Sequence, residues 1–285
     1  MVKKMATLID GKKIASEIRA ELKEQVDRMV AEKKKRPCLA VFLVGEDPAS
    51  KIYVKNKQKA CDEIGIASEM VTLSEDIHQE SLEYILNSYA QRNDIDGMLL
   101  QLPLPKGLDT EKALKCIPAS KDVDAFHPEN VGYIMRGDYH FLPCTPSGVI
   151  ELLDRYQISL EGKKCVVVGR SNIVGKPMAM MLLNRNSTVT ICHSKTENLS
   201  EHTKEADIII CAVGKRKLIT ADMVKNNAVV IDVGMNRDEN GKLCGDVDFE
   251  NVSLKASYIT PVPGGVGPMT IAMLMQNTLE AANKN

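Results

Sequence analysis

Apolar residues recur at Ile14, Ile18, Leu22, Val26 and Met29 or Val30, with lysine and glutamate between them. That period of three to four predicts a helix over residues 14–30. The pattern then changes. Residues 39–44 are an unbroken apolar run, too short for a helix and suited to a strand buried on both faces. A second helical stripe covers 50–64, and the same alternation continues with a strand at 67–73, a helix at 79–89 and a buried strand at 97–102. Pro105 and Gly107 interrupt it. A short helix over 110–116 leads into a turn-rich stretch at 118–128, and an apolar helix is predicted over 149–156. Four further apolar strands follow, at 165–168, 188–192, 208–213 and 229–233, separated by helix-length segments. A Gly/Pro stretch at 261–268 precedes a final helix over 269–282. Strands alternating with helices predict β/α units around a mostly parallel sheet, the α/β class.

The chain has 285 residues, more than the roughly 150 expected of one domain, so two β/α domains are predicted. The joint falls at Pro143-Cys144-Thr145-Pro146-Ser147, where two prolines stiffen the chain before an apolar helix. This divides the chain into 1–145 and 146–268, with the helix over 269–285 packing back on the first domain. A net charge of -1 gives no field that would gather nucleic acid or an anionic membrane, so neither partner is expected and any anion site must be local. The eight cysteines are scattered without a C-x-x-C pair. They suggest a reducing compartment, with neither a disulfide framework nor a zinc site. The five histidines show no ligand spacing, and no metal is expected. No stretch reaches the roughly 18 apolar residues of a membrane span, and the N-terminus shows no apolar core of a secretory signal. A cytoplasmic protein is expected.

The local anion site is predicted in Cys165–Pro177, CVVVGRSNIVGKP. An apolar strand runs into Gly169, then a polar loop, then Gly175 and a helix, the outline of a Rossmann-like dinucleotide turn. Ser171 stands where the second glycine of G-x-G-x-x-G is usual, and Gly175 comes one residue late. The alternative is a plain strand-to-helix turn. The next strand ends in His193-Ser194-Lys195, where an NAD site normally carries an Asp or Glu. Hydroxyl and cationic groups there, with Arg170 in the first turn, suit a 2′-phosphate, so NADP is favoured over NAD. A solvated polar turn is the competing reading.

Three features of the first half exceed what a plain fold needs. At about 100° per residue, Tyr53, Lys57, Ala60 and Ile64 share one face of their helix, while Lys51, Lys55 and Lys59 cluster elsewhere. Lys57 is therefore either an inward lysine with a lowered pKa, able to act as a base or to stabilise a developing charge, or one that snorkels from the edge of the stripe. Gln101 sits at a strand's carboxyl end, where open α/β sheets bind ligands, or it caps a loop. Asp122 and Asp124 either hold a planar N–C–N edge of a ligand or form Asx turns.

Together these segments carry a resemblance. Ser50-x-x-Tyr53-Val54-x-x-Lys57, Gln101-Leu102-Pro103-Leu104-Pro105, Lys121-Asp122-Val123-Asp124, Pro143-Cys144-Thr145-Pro146, Gly169-Arg170-Ser171-x-x-Val174-Gly175-x-Pro177 and Thr260-Pro261-Val262-Pro263-Gly264-Gly265-Val266-Gly267-Pro268-Met269-Thr270 stand in one order across nearly the whole chain. The chain resembles the bifunctional methylenetetrahydrofolate dehydrogenase/cyclohydrolase family. One departure is Ala125, where that family usually has glycine after the second aspartate.

The resemblance implies a cleft between the two domains, with the folate on the first and NADP on the second. It implies oxidation of 5,10-methylenetetrahydrofolate with NADP and hydrolysis of the methenyl product to 10-formyltetrahydrofolate, within one-carbon metabolism and purine biosynthesis. Lys57 would be the main catalytic residue, hydrogen-bonded by Gln101, with Tyr53 stacking on the folate and Asp124 holding its pterin. The backbone of Pro263, Gly264, Gly265 and Gly267 would approach the substrate. Gly169, Arg170, Ser171, Gly175 and Ser194 would hold the phosphates and ribose of NADP, and Met235 would lie at its nicotinamide end. Pairing of nucleotide domains into a homodimer is also implied. The competing functions are a dehydrogenase lacking the hydrolase step, a shikimate or amino-acid dehydrogenase of similar plan, and a non-catalytic NADP-binding protein. The Tyr53/Lys57 helix and Gln101 separate the bifunctional reading from these.

Overall fold

A computed structural model describes residues 5–284. In chain order the elements are β1 (Thr7–Leu8), α1 (Gly11–Ala31), β2 (Cys38–Val44), α2 (Pro48–Ile64), β3 (Ala67–Leu73), α3 (Gln79–Ala90), β4 (Gly97–Leu100), α4 (Thr110–Lys115), α5 (Pro128–Arg136) and α6 (Cys144–Arg155). They continue with β5 (Lys164–Val168), α7 (Gly175–Asn184), β6 (Thr188–Cys192), α8 (Leu199–Lys204), β7 (Ile208–Cys211), β8 (Val229–Asp232), β9 (Asn236–Arg237), β10 (Leu243–Cys244), α9 (Phe249–Val252), β11 (Tyr258–Ile259) and α10 (Val266–Lys284). None of these helices is long and apolar enough to cross a membrane. The chain separates into two compact units.

One unit comprises Ser16–Cys144 and the C-terminal residues from Ile271. Its three-stranded parallel sheet has the order β3-β2-β4. Every residue of β2 is buried, as its unbroken apolar run requires of a central parallel strand. Phe42, Leu82, Leu86, Ile95, Met98 and Leu100 are among the buried side chains of the core on one face of this sheet. The strand predicted at 97–102 ends at Leu100, with two residues between it and Pro103, which has no N–H to give a ladder. Helix α2 starts under two signals: the Asp47 carboxylate accepts from Ser50 N at 2.7 Å, and Pro48 occupies the first turn, where its missing N–H costs nothing. It stops at Gly65, whose φ of 91° lets its N–H reach back to Cys61 O. Helix α5 was not expected in the sequence, although it has a Pro128 start, a His127 cap and a left-handed Gly137 stop. Asn277, on α10, donates to Val123 O at 2.8 Å and Leu142 O at 2.9 Å.

The other unit groups residues 5–15 with Thr145–Thr270. Its sheet is parallel throughout, in the order β1-β11-β8-β7-β5-β6. Four of these strands match the predicted apolar runs; β1 and β11, of two residues each, carry no readable period. They also alter the division expected at 1–145. Because β1 pairs with β11, Thr7 and Leu8 belong to this sheet rather than to the unit that follows them. Val166, Val168, Ile209, Cys211, Val230 and Ile259 are buried together in its core. Helix α6 begins at Cys144, inside the predicted joint, with Pro146 in its first turn where a proline is tolerated. From β5 the chain goes to β6 on one side and then to β7 on the other. The ends of β5 and β7 therefore flank a topological switch point, the usual ligand position of an open α/β sheet.

Candidate functional site

In the first of these units, α2 presents Lys57 inward. It is 7% exposed, while Lys51, Lys55 and Lys59 face solvent. Tyr53, one turn earlier on the same face, is half-buried. The Lys57 ammonium donates to Gln101 Oε1 at 2.9 Å. Gln101 is held on both sides: its backbone N–H donates to Phe42 O at 2.9 Å, and its Nε2 donates to Leu102 O at 2.8 Å. The amide is thus oriented with its oxygen toward the lysine.

Burial lowers the Lys57 pKa from the ordinary lysine range, and the nearby Asp124 charge partly offsets this. Asp124 shows the reciprocal effect. Desolvation raises its pKa, while Lys57 and a hydrogen bond from the Cys144 thiol pull it down. Both groups are therefore brought closer to their neutral forms than exposed side chains would be.

The loop carrying Asp124 is braced by Asp122, whose Oδ2 accepts from His127 N at 2.7 Å and Asn130 Nδ2 at 2.9 Å. Burial pushes the Asp122 carboxyl up to about 6. Asp122 therefore serves the turn, and Asp124 is left as the carboxylate whose charge acts on the lysine. Ala125 has a φ of 57°, in the left-handed region that glycine enters without strain. The backbone keeps a glycine-like path with a methyl group on it. Cys144 was not among the predicted site residues. It lies fully buried on the Val123 carbonyl, at 3.4 Å, beside Asp124, and only the proline-flanked motif around it hints at this place.

In the nucleotide-type unit, Gly169 ends β5 with a φ of 131°, and a Cβ there would strike the Ala212 carbonyl in the turn after β7. A Cβ on Gly175 would likewise strike Gly169 O. Both glycines are required by close backbone approach. The start of α7 differs from the expected open anion site. Ser171 Oγ accepts from Val174 N at 3.2 Å and Gly175 N at 3.3 Å, Lys176 N donates to Ser171 O, and Pro177 has no N–H. Those amides are already satisfied. The helix dipole remains, but hydrogen bonds to an anion must come from side chains or from rotation of Ser171.

Gly169 N donates to Cys192 O at 2.8 Å, which sets the turn after β5 beside the end of β6. Arg170, Ser194 and Lys195 are all exposed on these two turns, and no carboxylate ends β6. Close-approach glycines, two cations and a hydroxyl fit a dinucleotide bearing a 2′-phosphate. Met235 is half exposed in the turn after β8.

The segment before α10 is shaped by backbone contact. Val262–Pro263 is cis, and Gly264 has a φ of 105°. A Cβ on Gly265 would meet Pro261 O and Thr260, whereas Gly267 faces open space. The predicted residues therefore form two groups, Lys57 with Gln101 and Asp124 in one unit, and the 169–175, 194, 235 and 263–267 positions in the other.

Comparisons with known proteins cover nearly the whole chain. The tetrahydrofolate dehydrogenase/cyclohydrolase catalytic domain family matches residues 9–124, and the NAD(P)-binding domain of the same family matches residues 143–285. A "Bifunctional protein FolD" of Lachnoclostridium phytofermentans is 55% identical over 280 residues, covering 98% of this chain and 99% of that protein. The crystal structure of a bifunctional FolD methylenetetrahydrofolate dehydrogenase/cyclohydrolase from Campylobacter jejuni superposes with a TM-score of 0.96 at 53% identity, over 98% of this chain and 99% of that one. A Trypanosoma brucei dehydrogenase-cyclohydrolase, complexed with NADP cofactor and inhibitor, has a TM-score of 0.94 at 37% identity, over 99% of this chain and 98% of that one. With both domain families in order along one chain, and relatives this similar over its whole length, the protein belongs to the tetrahydrofolate dehydrogenase/cyclohydrolase family.

Proposed function

We propose that this enzyme oxidises 5,10-methylenetetrahydrofolate with NADP and hydrolyses the methenyl product to 10-formyltetrahydrofolate, with Lys57 at the centre of the hydrolytic step. The observation that carries this reading is the buried Lys57, held by an oriented Gln101 and within the field of the Asp124 charge.

NADP supplies the hydride acceptor. The methylene carbon lies between two nitrogens whose lone pairs stabilise the positive charge left behind, so the first step needs orientation more than proton transfer. In this reading Tyr53 stacks on the folate, Asp124 holds the N–C–N edge of the pterin, and Pro263, Gly264, Gly265 and Gly267 let the backbone approach it closely. Gly169 and Gly175 let the turn pack closely enough to receive the phosphates and ribose, which Arg170, Ser171 and Ser194 bind, with Met235 at the nicotinamide end.

Hydrolysis asks more of the protein. Water adds to the methenyl carbon, and the tetrahedral adduct must lose a ring nitrogen. A neutral Lys57 takes a proton from the water; an ammonium stabilises the oxygen charge. Gln101 accepts one N–H of Lys57 in either state, which directs the remaining hydrogens or the lone pair away from the amide and toward substrate. The lowered pKa makes exchange between the two states easier near neutral pH.

The same reading extends to a cytoplasmic homodimer that supplies one-carbon units for purine biosynthesis. All eight cysteines are free, which suits a reducing compartment. Strand β6 forms one edge of its sheet, with Thr188, Thr190 and Ile191 exposed, and an open edge favours pairing with a second copy. Sedimentation at micromolar concentration is expected to give twice the chain mass; a monomer would overturn the dimer.

The function is tested by incubating the enzyme with methylenetetrahydrofolate and either NADP or NAD, following reduced nicotinamide and the methenyl chromophore separately. The expected result is faster reduction of NADP, with methenyl decaying faster than in buffer. Accumulated methenyl that decays at the buffer rate would leave a dehydrogenase alone.

A further inference from the structure

The steps above leave two buried carboxylates of the nucleotide-type unit unused. Asp232 is 4% exposed and Asp246 fully buried. Asp232 closes β8, and its Oδ1 accepts from Gly234 N at 2.9 Å and Asp246 N at 3.0 Å, while Oδ2 accepts from Val247 N at 2.9 Å. Asp246 is thereby fixed by its own backbone, and its side chain reaches two other turns. Its Oδ2 accepts from Val213 N at 2.8 Å and Gly214 N at 3.0 Å, in the turn after β7. Its Oδ1 accepts from Asn236 Nδ2 at 2.8 Å, one residue after Met235. Gly234 and Gly245 pack so closely that a Cβ on either would collide with Asp246 or Asp232 respectively.

Among the described residues neither carboxylate is paired with a lysine or arginine; amide donors satisfy them, joined at Asp246 Oδ2 by the Cys211 thiol at 3.7 Å. A buried negative charge held this way is costly, and a neutral asparagine could cap one turn with less desolvation. A carboxylate offers what an amide cannot: two acceptor oxygens and no donor, so that two turns are pinned by one side chain. Those turns stand at the carboxyl ends of neighbouring strands, and the first of them touches Gly169 across the switch point.

We infer that Asp246 is a positioning residue for hydride transfer, locking residues 213–214 and 234–236 into the floor on which the nicotinamide half of the cofactor lies. The inference rests on the proposed NADP reading of this unit, with Asp232 as the support that aims Asp246.

The two activities give an internal control, because hydrolysis of supplied methenyltetrahydrofolate needs no hydride acceptor. In Asp246→Asn, kcat/KM for NADP reduction is expected to fall ten- to a hundredfold, with a raised KM for NADP. Methenyl hydrolysis by the same preparation should stay within twofold of the parent. Asn236→Ala removes one of the bonds without touching the buried charge, and a three- to tenfold rise in the KM for NADP is expected with hydrolysis unchanged. Unchanged NADP kinetics in both variants, or equal loss of both activities in Asn236→Ala, would overturn the inference. A parent enzyme that hydrolyses methenyltetrahydrofolate but reduces no NADP would overturn the cofactor reading, and this inference with it.

Discussion

At the scale of single residues, the site is governed by what burial does to charge. Lys57 loses solvent and gains one oriented acceptor, Gln101, and one opposite charge, Asp124. Neither gain restores the hydration of a free ammonium, so its pKa stays lowered. Asp122 shows the same physics in a supporting role. Its carboxyl is pushed up to about 6 by burial, from an ordinary value of 3.8. Between those two pH values the folded protein keeps a proton that the unfolded chain has released. Its contribution to stability therefore falls as pH rises from about 4 to about 6, and the whole swing is about 3 kcal/mol at most. Asp122→Asn imitates the protonated carboxyl and can still accept from His127 N and Asn130. We expect that variant to lose this part of the pH dependence in denaturant melts taken between pH 4 and 7. An unchanged slope would show that Asp122 does not titrate there. The inward direction of Lys57 was readable, because 100° per residue separates it from Lys51, Lys55 and Lys59. Its bond to Gln101 was not readable from spacing, since 44 residues separate the partners; only the family resemblance joined them. The grip of Asp246 on two distant turns left no sequence period at all.

At the scale of elements, the turn after β5 combines a familiar outline with an unusual helix start. Ser171 satisfies the first amides of α7, and Pro177 removes another. On the proposed reading, selectivity then rests on side chains, above all Arg170 and the Ser194-Lys195 pair at the end of β6. A charge-assisted hydrogen bond to a phosphate is worth about 1.5–3 kcal/mol, and each 1.4 kcal/mol is about tenfold. Arg170→Ala is therefore expected to lower kcat/KM for NADP by about ten- to a hundredfold and to leave the value for NAD nearly unchanged. Equal loss with both cofactors would remove Arg170 from the 2′-phosphate. The longer elements of this fold were legible because an apolar period or an unbroken run needs only a local reading. Strands β1 and β11 were not, because two residues have no period and become strands only by pairing with each other and with β8. Helix α5 did carry its signals, a proline start and a glycine stop, but they lay at the end of a turn-rich stretch that masked them.

At the scale of the whole molecule, two chemistries are divided between two kinds of structure. In the proposed function one unit supplies a buried lysine, an oriented amide and a carboxylate for water addition. The other supplies close-packed glycine turns and exposed cations for a dinucleotide. Hydride transfer draws on orientation, whereas hydrolysis draws on a group that can give up and regain a proton. The two activities should therefore separate under mutation of that group. The most direct measurement is to make Lys57→Met and assay NADP reduction and methenyl hydrolysis side by side, with folate binding measured on the same sample. Folate binding and NADP reduction within about tenfold of the parent, with hydrolysis down at least a hundredfold, is the expected result; a loss of this size matches removal of a general acid–base group. Equal loss of both activities with folate still bound would contradict the assignment of hydrolysis to Lys57.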